Sequence, residues 1–358
     1  MSTHYLGIDL HKRVSTWVLL DTQGKVVQCL KSVPVTPSDI SSAARGLTIS
    51  PAEISVAIEP VEGWRFVVPL LETQGMEVHI SNPLKTRVIA TSRQKNDMND
   101  ARTLADLLRT NYLPESYRAP EAVMELRDLT RERGYFVRVR VKFKNRIHGV
   151  LSRKGLHHLH ARTPLSAQGK AEIVAGSDSE LQRLHTAIDA LLPAITALDA
   201  QVQTHARTLP LALLLQSMPG IGPVTAMTIL AEVGDFARFH SARHLASFAG
   251  LVPRERSSAG KQRFGHISKQ GSVHLRTAMV EAACRVRSAK DGVLYDFLLR
   301  MQETHTPLAA RVALARKMLI ILFAMVKHNV SYRTGAPDIA TSVDTSEQME
   351  VGDLVLGC

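Results

Sequence analysis

Three short apolar runs open the chain, and a few polar residues separate each run from the next. They span Tyr5–Leu10, Val14–Asp21 and Val26–Leu30. Apolar runs of this length joined by tight polar turns are typical of antiparallel β-strands. The pattern therefore predicts a three-stranded meander at the start of the chain.

Apolar strands and amphipathic helices alternate after the meander. The predicted strands are Ile54–Glu59 and Met76–Ile80, and the predicted helices are Trp64–Thr73, one that starts after Pro83 and one that ends near Arg109. A meander followed by alternating strands and helices is the element order of the ribonuclease H-like fold. We therefore expect an α/β domain over residues 1–115, followed by domains that are entirely helical.

Four carboxylates in this domain lie where a metal site could form. Asp9 interrupts an apolar strand, Glu59 ends another, and Asp97 and Asp100 share one face of a helix because they are three residues apart. A buried carboxylate is costly unless a cation or hydrogen-bond donors compensate it. Carboxylate oxygens suit Mg²⁺ or Mn²⁺, and two such ions can activate a nucleophile and stabilise the leaving oxygen of a phosphodiester. The set predicts phosphoryl-transfer chemistry.

Ordinary structural roles are the alternatives for these acids. Asp9 can serve as a hydrogen-bond acceptor, Asp97 as a helix cap and Asp100 as a surface charge. Glu62 is an alternative to Glu59, although it falls outside the apolar strand.

Positive charge dominates the middle of the chain. With 44 Lys and Arg against 33 Asp and Glu, the formal net charge is +11, and the window from Arg133 to Ala171 contains no acid. Residues 137–144 alternate like a strand, but helical patterns flank them, so we expect a helix. The window predicts a surface that follows nucleic-acid phosphates and binds less tightly as salt rises, with a solvated basic face as the alternative. Its predicted contacts are Arg138, Arg140, Lys142, Lys144, Arg146, Arg153 and Lys154.

A heptad pattern follows the basic window and completes a connector over residues 116–210. Apolar residues recur in steps of three and four, which predicts a coiled coil. Packing of this stripe against its own domain is the alternative, and Pro193 is expected to kink the helix. If the stripe faces another copy, the protein is at least a dimer. The stripe consists of Leu181, Leu184, Ile188, Leu191, Ile195, Leu198 and Val202.

A glycine-containing turn opens the predicted C-terminal domain, residues 211–335. Pro219–Gly222 lies between two helical patterns and resembles a helix-hairpin-helix element, in which Gly220 and Gly222 let backbone N–H groups approach a phosphate. A tight turn without a ligand is the alternative. Beyond this domain, residues 336–358 are acidic and aperiodic, which predicts a disordered tail.

A polar segment follows the apolar stretch Leu245–Pro253. Ser257 and Ser258 lie there among cations, where a hydroxyl could attack a phosphate while the cations stabilise the developing charge. A flexible surface loop is the alternative. The predicted nucleic-acid contacts in and after this segment are Arg254, Arg256, Lys261, Arg263, Lys269 and Arg276.

Composition excludes several classes of protein. No apolar stretch reaches the roughly 18 residues of a membrane span, and the chain begins without a charged leader, so we expect a cytoplasmic protein. Its basic charge makes nucleic acid the first candidate partner and an anionic membrane the second, and we expect a nucleoid-associated protein without a membrane partner. The three cysteines, Cys29, Cys284 and Cys358, are scattered, which argues against a disulfide framework or a zinc site.

Taken in order, the motifs resemble those of the DEDD-type insertion-sequence transposases, the bridge-RNA-guided recombinases. The resemblance covers about residues 5 to 330 and implies a RuvC-like domain that holds Mg²⁺ with Asp9, Glu59, Asp97 and Asp100. It also implies that Ser258 attacks DNA and becomes covalently linked to it, although Ala259 replaces the family's glycine and leaves Ser257 as an alternative. The motifs are Gly7-Ile-Asp9, Ile58-Glu59, Asp97-Met-Asn-Asp-Ala-Arg102, Pro219-Gly-Ile-Gly222, Phe248-Ala-Gly-Leu-Val-Pro253, Ser257-Ser258 and Ile267-Ser-Lys-Gln-Gly271.

The implied partners are double-stranded donor and target DNA, an element-encoded guide RNA, and further copies of the chain that form a dimer and then a tetramer. Three other functions stay open, and a sugar-kinase-like relative of the same fold ranks last because no second Gly-rich phosphate loop is found. A metal-dependent nuclease or junction resolvase would use the acids with water and need no serine. A non-catalytic nucleic-acid-binding protein would need neither.

Overall fold

The computed structural model describes residues 3–89, 96–156, 166–175, 178–255, 264–289 and 292–332. The chain divides into two compact units, the first ending at Arg118 and the second beginning at Ala119. Among the described helices, none combines the length and the hydropathy needed to cross a membrane.

The first unit is a mixed α/β structure built on a five-stranded sheet. Its strands are β1 (His4–Leu10), β2 (Val14–Leu20), β3 (Val26–Pro34), β4 (Ile54–Ile58) and β5 (Glu77–Ile80). Its helices are α1 (Pro37–Arg45), α2 (Trp64–Thr73), α3 (Pro83–Ile89) and α4 (Asp97–Arg109). The predicted meander and the alternating strands and helices are confirmed, and β3 extends beyond the predicted end at Leu30.

Strand order in the sheet is β3-β2-β1-β4-β5. The meander strands pair antiparallel, whereas β4 runs parallel to both β1 and β5. This arrangement agrees with the ribonuclease H-like fold expected from the element order. Because β1 and β4 are parallel neighbours, their carboxyl ends meet at one edge of the sheet, where the residues that follow Ile8 and Ile58 lie side by side.

The two faces of this sheet are covered differently. Ile8 and Trp17 lie on the face covered by α1 and α2, in a core that includes Ile40 and Val67. On the opposite face α4 lies directly on β1, because Gly7 has no side chain. A Cβ on Gly7 would lie 1.8 Å from the carbonyl oxygen of Ala101 and 2.8 Å from the amide nitrogen of Ala105.

The second unit is almost entirely helical. Its helices are α5 (Glu121–Arg153), α6 (Ala167–Ala175), α7 (Ser179–Thr208), α8 (Pro210–Gln216), α9 (Pro223–Val233), α10 (Ala242–Phe248), α11 (Val273–Ala289), α12 (Gly292–Thr304) and α13 (Pro307–His328). Two short strands, β6 (Pro253–Glu255) and β7 (Phe264–Ile267), form an antiparallel hairpin. The helix expected over residues 137–144 is confirmed as part of α5.

The heptad stripe of α7 is buried within the chain. Leu181 and Ile188 pack against Ile147 and Leu151 of α5, and Val202 joins the core of the C-terminal helices. Packing against its own domain, the alternative left open by the sequence, therefore accounts for the stripe. The stripe no longer supplies an argument for a dimer, and α7 continues through Pro193 as one helix.

A buried ion pair connects α5, α9 and the start of α11. Glu232 of α9 is 2% exposed and accepts hydrogen bonds from Arg131 Nε at 2.7 Å, from Arg131 Nη2 at 2.9 Å and from Ser272 Oγ at 2.8 Å. Burial by itself would raise the pKa of Glu232. The hydrogen bonds and charge of Arg131, with the Ser272 hydroxyl, outweigh burial and hold the pKa below its ordinary value.

We expect Gly7→Ala to lower the stability of the protein by about 3 kcal/mol or more, because the new methyl group would meet helix backbone that cannot rotate away. Thermal unfolding of the full chain measures the change. Gly149→Ala is the control, since an added Cβ there meets nothing within 4 Å and alanine favours the helix by about 0.5–1 kcal/mol. Equal melting temperatures for Gly7→Ala and wild type would contradict the close contact.

The Glu232 pair predicts unequal costs for removing its two partners. Arg131→Met leaves a carboxylate buried without its cation and should cost about 3–5 kcal/mol. Glu232→Gln should cost about 1–3 kcal/mol, because the Arg131 side chain is 44% exposed and can be solvated.

The lowered pKa of Glu232 also fixes the direction of a pH effect on stability. Its contribution is fully present above the unfolded value of about 4.3 and is lost as pH falls through the lower folded pKa. Denaturant unfolding from pH 7 to pH 3 should therefore show a smaller loss in Glu232→Gln than in wild type. If Arg131→Met cost less stability than Glu232→Gln at pH 7, this account of the ion pair would be contradicted.

Candidate metal centre and nucleic-acid interface

Sheet register and helix α4 bring the predicted acids toward one place. Gly7 and Asp9 are two residues apart on β1, so their side chains share the face that α4 covers. Glu59 directly follows Ile58, the partner of Ile8 across β1 and β4, so register places it beside Asp9 on that face. Glu59 is partly buried there.

The first turn of α4 supplies Asp97 and Asp100. Asn96 caps this helix, since its side-chain oxygen accepts the Asn99 backbone N–H at 2.8 Å. Asp97 is therefore not the N-terminal cap, but it is an acid of the first turn, the other structural role that the sequence left open for it. Its carboxylate is available for contacts with groups on β1.

A histidine completes a three-residue cluster with two of the acids. His11 Nε2 lies 3.2 Å from Asp9 Oδ2 and 3.5 Å from Asp97 Oδ1, and the three potential ligand atoms lie within 4.8 Å of one another. The Asp9 side chain is 13% exposed, whereas His11 and Asp97 are 53% and 61% exposed. The cluster is therefore closed on the side of the sheet and open to solvent on the other.

The environment of Asp9 opposes its negative charge. Burial raises the pKa of the Asp9 carboxyl, His11 opposes that rise, and the neighbouring carboxylates Asp97 and Asp100 raise the pKa further. The net pKa is above the ordinary aspartate value. Asp100 therefore acts on the charge of Asp9 although it is not one of the three residues of the cluster.

These residues fit a divalent cation. Asp9 Oδ2 is buried, and the described residues give it a contact with His11 Nε2 at 3.2 Å but no hydrogen bond of good geometry. A buried oxygen without such a hydrogen bond, beside two further carboxylates, is a costly arrangement that a bound cation would relieve. The oxygen-rich donor set is compatible with Mg²⁺ or Mn²⁺.

Sequence reasoning about the acids did not include His11. The signal was present, because His11 lies two residues after Asp9 and continues the alternation that puts both on one side of the strand. An isolated histidine at a strand end does not indicate a metal ligand until its proximity to Asp97 of α4 is known.

The basic residues of α5 divide between two sides of the helix. Arg138, Lys142, Arg146 and Arg153 follow steps of four, four and seven residues, which places them on one side, and all four are exposed. Arg140 and Lys144 lie on the other side, next to the residues that pack on α7, and both are partly buried. The strand-like alternation in the sequence therefore does not form a single phosphate-tracking surface in the helix.

Acids at the start of α7 pair with the end of this basic run. Glu180 accepts from Arg146 at 2.9 Å and from Arg153 at 2.7 Å, and Asp178 pairs with Lys154. Arg138 and Lys142 have no ion pair with any described carboxylate. They are accordingly the most available phosphate contacts on the exposed side of α5.

Gly220 has a packing role in the turn between α8 and α9. Its φ is +86°, and a Cβ there would lie 2.4 Å from the carbonyl oxygen of Ala282 on α11. Gly222 precedes the first residue of α9 and has open space around the position of an added Cβ. The close contact with α11 explains Gly220 without a ligand, whereas the space at Gly222 is compatible with the predicted phosphate contact.

Two glycines fix the base of the β6–β7 hairpin. A Cβ on Gly250 would lie 2.3 Å from the Gln270 carbonyl oxygen, and one on Gly271 would lie 2.1 Å from the Phe248 carbonyl oxygen. Both glycines have positive φ. The loop after β7 therefore lies directly on the end of α10, and this contact explains why the two glycine-containing motifs occur together.

Three predicted nucleic-acid contacts lie beside this hairpin base. Arg254 donates to the Ser268 carbonyl at 3.2 Å, and Arg276 donates to the Ala249 carbonyl at 3.0 Å, so both hold backbone in place. Lys269 is exposed. Arg256, Ser257, Ser258, Lys261 and Arg263 lie outside the described residues.

Both units match family models of transposases. Residues 6–155 match a model of the DEDD IS110 type described as Transposase, and residues 212–298 match a model described as Transposase IS116/IS110/IS902 family.

Individual relatives agree with these matches. A probable family 20 transposase of Pseudomonas aeruginosa is 30% identical over 255 residues, which cover 67% of this chain and 75% of that protein. The transposase for insertion sequence element IS1111A of Coxiella burnetii is 27% identical over 344 residues, 92% of each chain. A pilin gene-inverting protein of Moraxella bovis is 35% identical over 141 residues, 38% of this chain and 44% of that protein.

The available cations on α5 predict a change in salt dependence. Replacing Arg138 and Lys142 together by Gln should weaken binding to duplex DNA and reduce the slope of log affinity against log salt by about 2, one for each lost phosphate contact. Titrations at several salt concentrations measure the slope. The matched control replaces Arg146 and Arg153, which are already paired with Glu180, and should change the slope less. Equal slopes for the first variant and wild type would contradict the assignment.

Proposed function

Because this chain belongs to the transposase IS116/IS110/IS902 family and is a DNA transposase, we propose that it cuts and rejoins DNA through a serine–DNA intermediate. In this proposal Asp9, Glu59, Asp97 and Asp100 hold Mg²⁺ or Mn²⁺, and Ser258 is the nucleophile. The observation that carries the metal part is the buried Asp9 oxygen, which has no hydrogen bond of good geometry from any described residue and lies among further carboxylates.

In this proposal the residues of the chain bind the DNA and position the reacting groups. Exposed cations on α5 bind phosphates and set the position of the duplex. The hairpin base at Gly250 and Gly271 holds the ends of the segment that carries the serine. A bound divalent ion supplies stabilisation of negative charge on phosphate oxygens. Asp9, buried against α4, fixes where that stabilisation is available.

In the proposed step the Ser258 oxygen attacks a backbone phosphorus atom. The oxygen–phosphorus bond forms as the bond from phosphorus to the leaving sugar oxygen breaks, and the released sugar hydroxyl gains the proton that the serine loses. The reverse reaction with a different sugar hydroxyl rejoins the strand, so no external energy source is needed. Ser257 is the alternative nucleophile.

A guide RNA, donor DNA and target DNA complete the proposal. The resemblance to the bridge-RNA-guided recombinases supports the RNA, and the basic surface of α5 is chemically suited to any of these polyanions. Exchange between two duplexes calls for more than one serine, which supports a dimer that assembles into a tetramer. Since α5 already covers the heptad stripe of α7, the proposed assembly uses another surface.

A metal-dependent nuclease or junction resolvase is the second candidate. It is supported by the same acids, because two metal ions can direct water instead of a hydroxyl side chain at a phosphodiester. The nuclease would release a hydrolysed end and form no bond between protein and DNA.

We expect labelled DNA to become covalently attached to the protein when the element-encoded RNA and Mg²⁺ are present. Denaturing electrophoresis separates the adduct from free DNA, and protease treatment removes it. Ser258→Ala should abolish the adduct, and Ser257→Ala should retain it. Asp9→Asn should reduce adduct formation by a factor of about 100 or more, since it removes the buried metal ligand.

Three results would contradict parts of the proposal. Hydrolysed DNA without an adduct would favour the nuclease. An adduct that persists in Ser258→Ala and disappears in Ser257→Ala would move the nucleophile by one residue. If adduct formation does not change when the RNA is omitted, the proposed requirement for a guide RNA is wrong.

A further inference from the structure

His11 occupies a position between two of the proposed metal ligands. Its Nε2 atom is 3.2 Å from Asp9 Oδ2 and 3.5 Å from Asp97 Oδ1. Two roles are open to an imidazole in this position. It can hydrogen-bond the carboxylates and orient them, or it can bind the cation directly.

The contact with Asp9 favours direct binding. If His11 oriented the carboxylate, its N–H would point along a lone pair of Oδ2, yet that buried oxygen has no hydrogen bond among the described residues. Nε2 is instead one corner of a group of three donor atoms that all lie within 4.8 Å of one another. Adjacent ligands of an octahedral ion with bonds of about 2.1 Å are about 3.0 Å apart, so the Nε2 distances of 3.2 Å to Asp9 and 3.5 Å to Asp97 suit neighbouring positions around one ion.

Position in the chain also supports a direct role. His11 follows β1 immediately and is half exposed, so its ring is accessible to a cation from solvent. Asp97 comes from α4, which is held on β1 by the contact at Gly7. The ring nitrogen and both carboxylates are thus brought together by the backbone of the unit and not by flexible side chains alone.

We infer that His11 is a direct ligand of the divalent cation and makes the site prefer Mn²⁺ over Mg²⁺. The inference rests on the proposed metal centre and adds a nitrogen donor to its carboxylates. Both ions bind carboxylate, carbonyl and water oxygens, but Mg²⁺ keeps to oxygen ligands, whereas Mn²⁺ is a first-row transition metal, the weakest-binding of a series whose members also accept nitrogen ligands. His11 therefore determines which ion the transposase binds at equal concentration.

The test uses the full chain without DNA or RNA, and the probe is Mn²⁺ itself. Electron spin echo spectroscopy of the bound Mn²⁺ should show coupling to one imidazole ¹⁴N nucleus, and this coupling should be absent in His11→Asn. Titration followed by the signal of free Mn²⁺ should show affinity lower by about tenfold in His11→Asn. Competition by Mg²⁺ should reveal a change of less than about threefold in Mg²⁺ affinity, because the carboxylates are unchanged.

Asp9→Asn separates failure of this inference from failure of the proposed metal centre. If Asp9→Asn abolishes Mn²⁺ binding while wild type lacks ¹⁴N coupling, the centre exists and His11 is not its ligand. If Asp9→Asn and wild type bind Mn²⁺ equally, the proposed centre is wrong and the inference falls with it. Parallel losses of Mn²⁺ and Mg²⁺ affinity in His11→Asn would overturn the role in selectivity.

Discussion

The contact between α4 and β1 at Gly7 is the constraint on which the candidate site depends. Helix backbone lies where any other residue would place a Cβ, so the helix and the strand are closer than side chains would permit. Asp9 lies two residues farther along that strand, and Asp97 and Asp100 lie in the first turn of that helix. Close approach of two backbones therefore places carboxylates from distant parts of the sequence beside one another.

Glu232 and Asp9 have opposite electrostatic environments, and their pKa values are shifted in opposite directions. Glu232 receives three hydrogen bonds and a guanidinium charge, and its pKa is lowered. Asp9 has other carboxylates beside it, a raised pKa and an oxygen to which no residue in the described ranges donates a hydrogen bond of good geometry. The first arrangement connects helices and serves stability. The second is unfavourable without a compensating charge, which is compatible with a divalent metal site.

Local sequence patterns predicted the elements of the first unit, because strand alternation, helix periodicity and turn residues are local properties. They also suggested Asp9, Asp97 and Asp100. His11 was missed, since its significance comes from Asp97 on an element far along the chain. Gly7 and Gly220 are similar cases, because each is explained by the backbone of a distant helix.

Patterns with two physical causes were harder to interpret. The heptad stripe of α7 has the period of an intermolecular coiled coil, but the partner helix is α5 of the same chain. The basic run of α5 predicted a single phosphate-binding surface because its charges are close together in sequence. In the helix, Arg138 and Arg140 lie on different sides. Acids at the start of α7 then pair with the end of the run, and no local pattern indicates that pairing.

Calorimetric unfolding of wild type and Asp9→Asn, with and without Mn²⁺, tests the central claim most directly. Because the folded pKa of Asp9 is raised, ionisation destabilises the metal-free protein as pH increases past the unfolded aspartate value of about 3.9. At pH 7 without metal, Asp9→Asn should therefore melt above wild type. Saturating Mn²⁺ should raise the melting temperature of wild type and leave that of Asp9→Asn unchanged. A lower melting temperature for the metal-free variant, together with equal effects of Mn²⁺ on both proteins, would contradict the claim that Asp9 is a cation ligand.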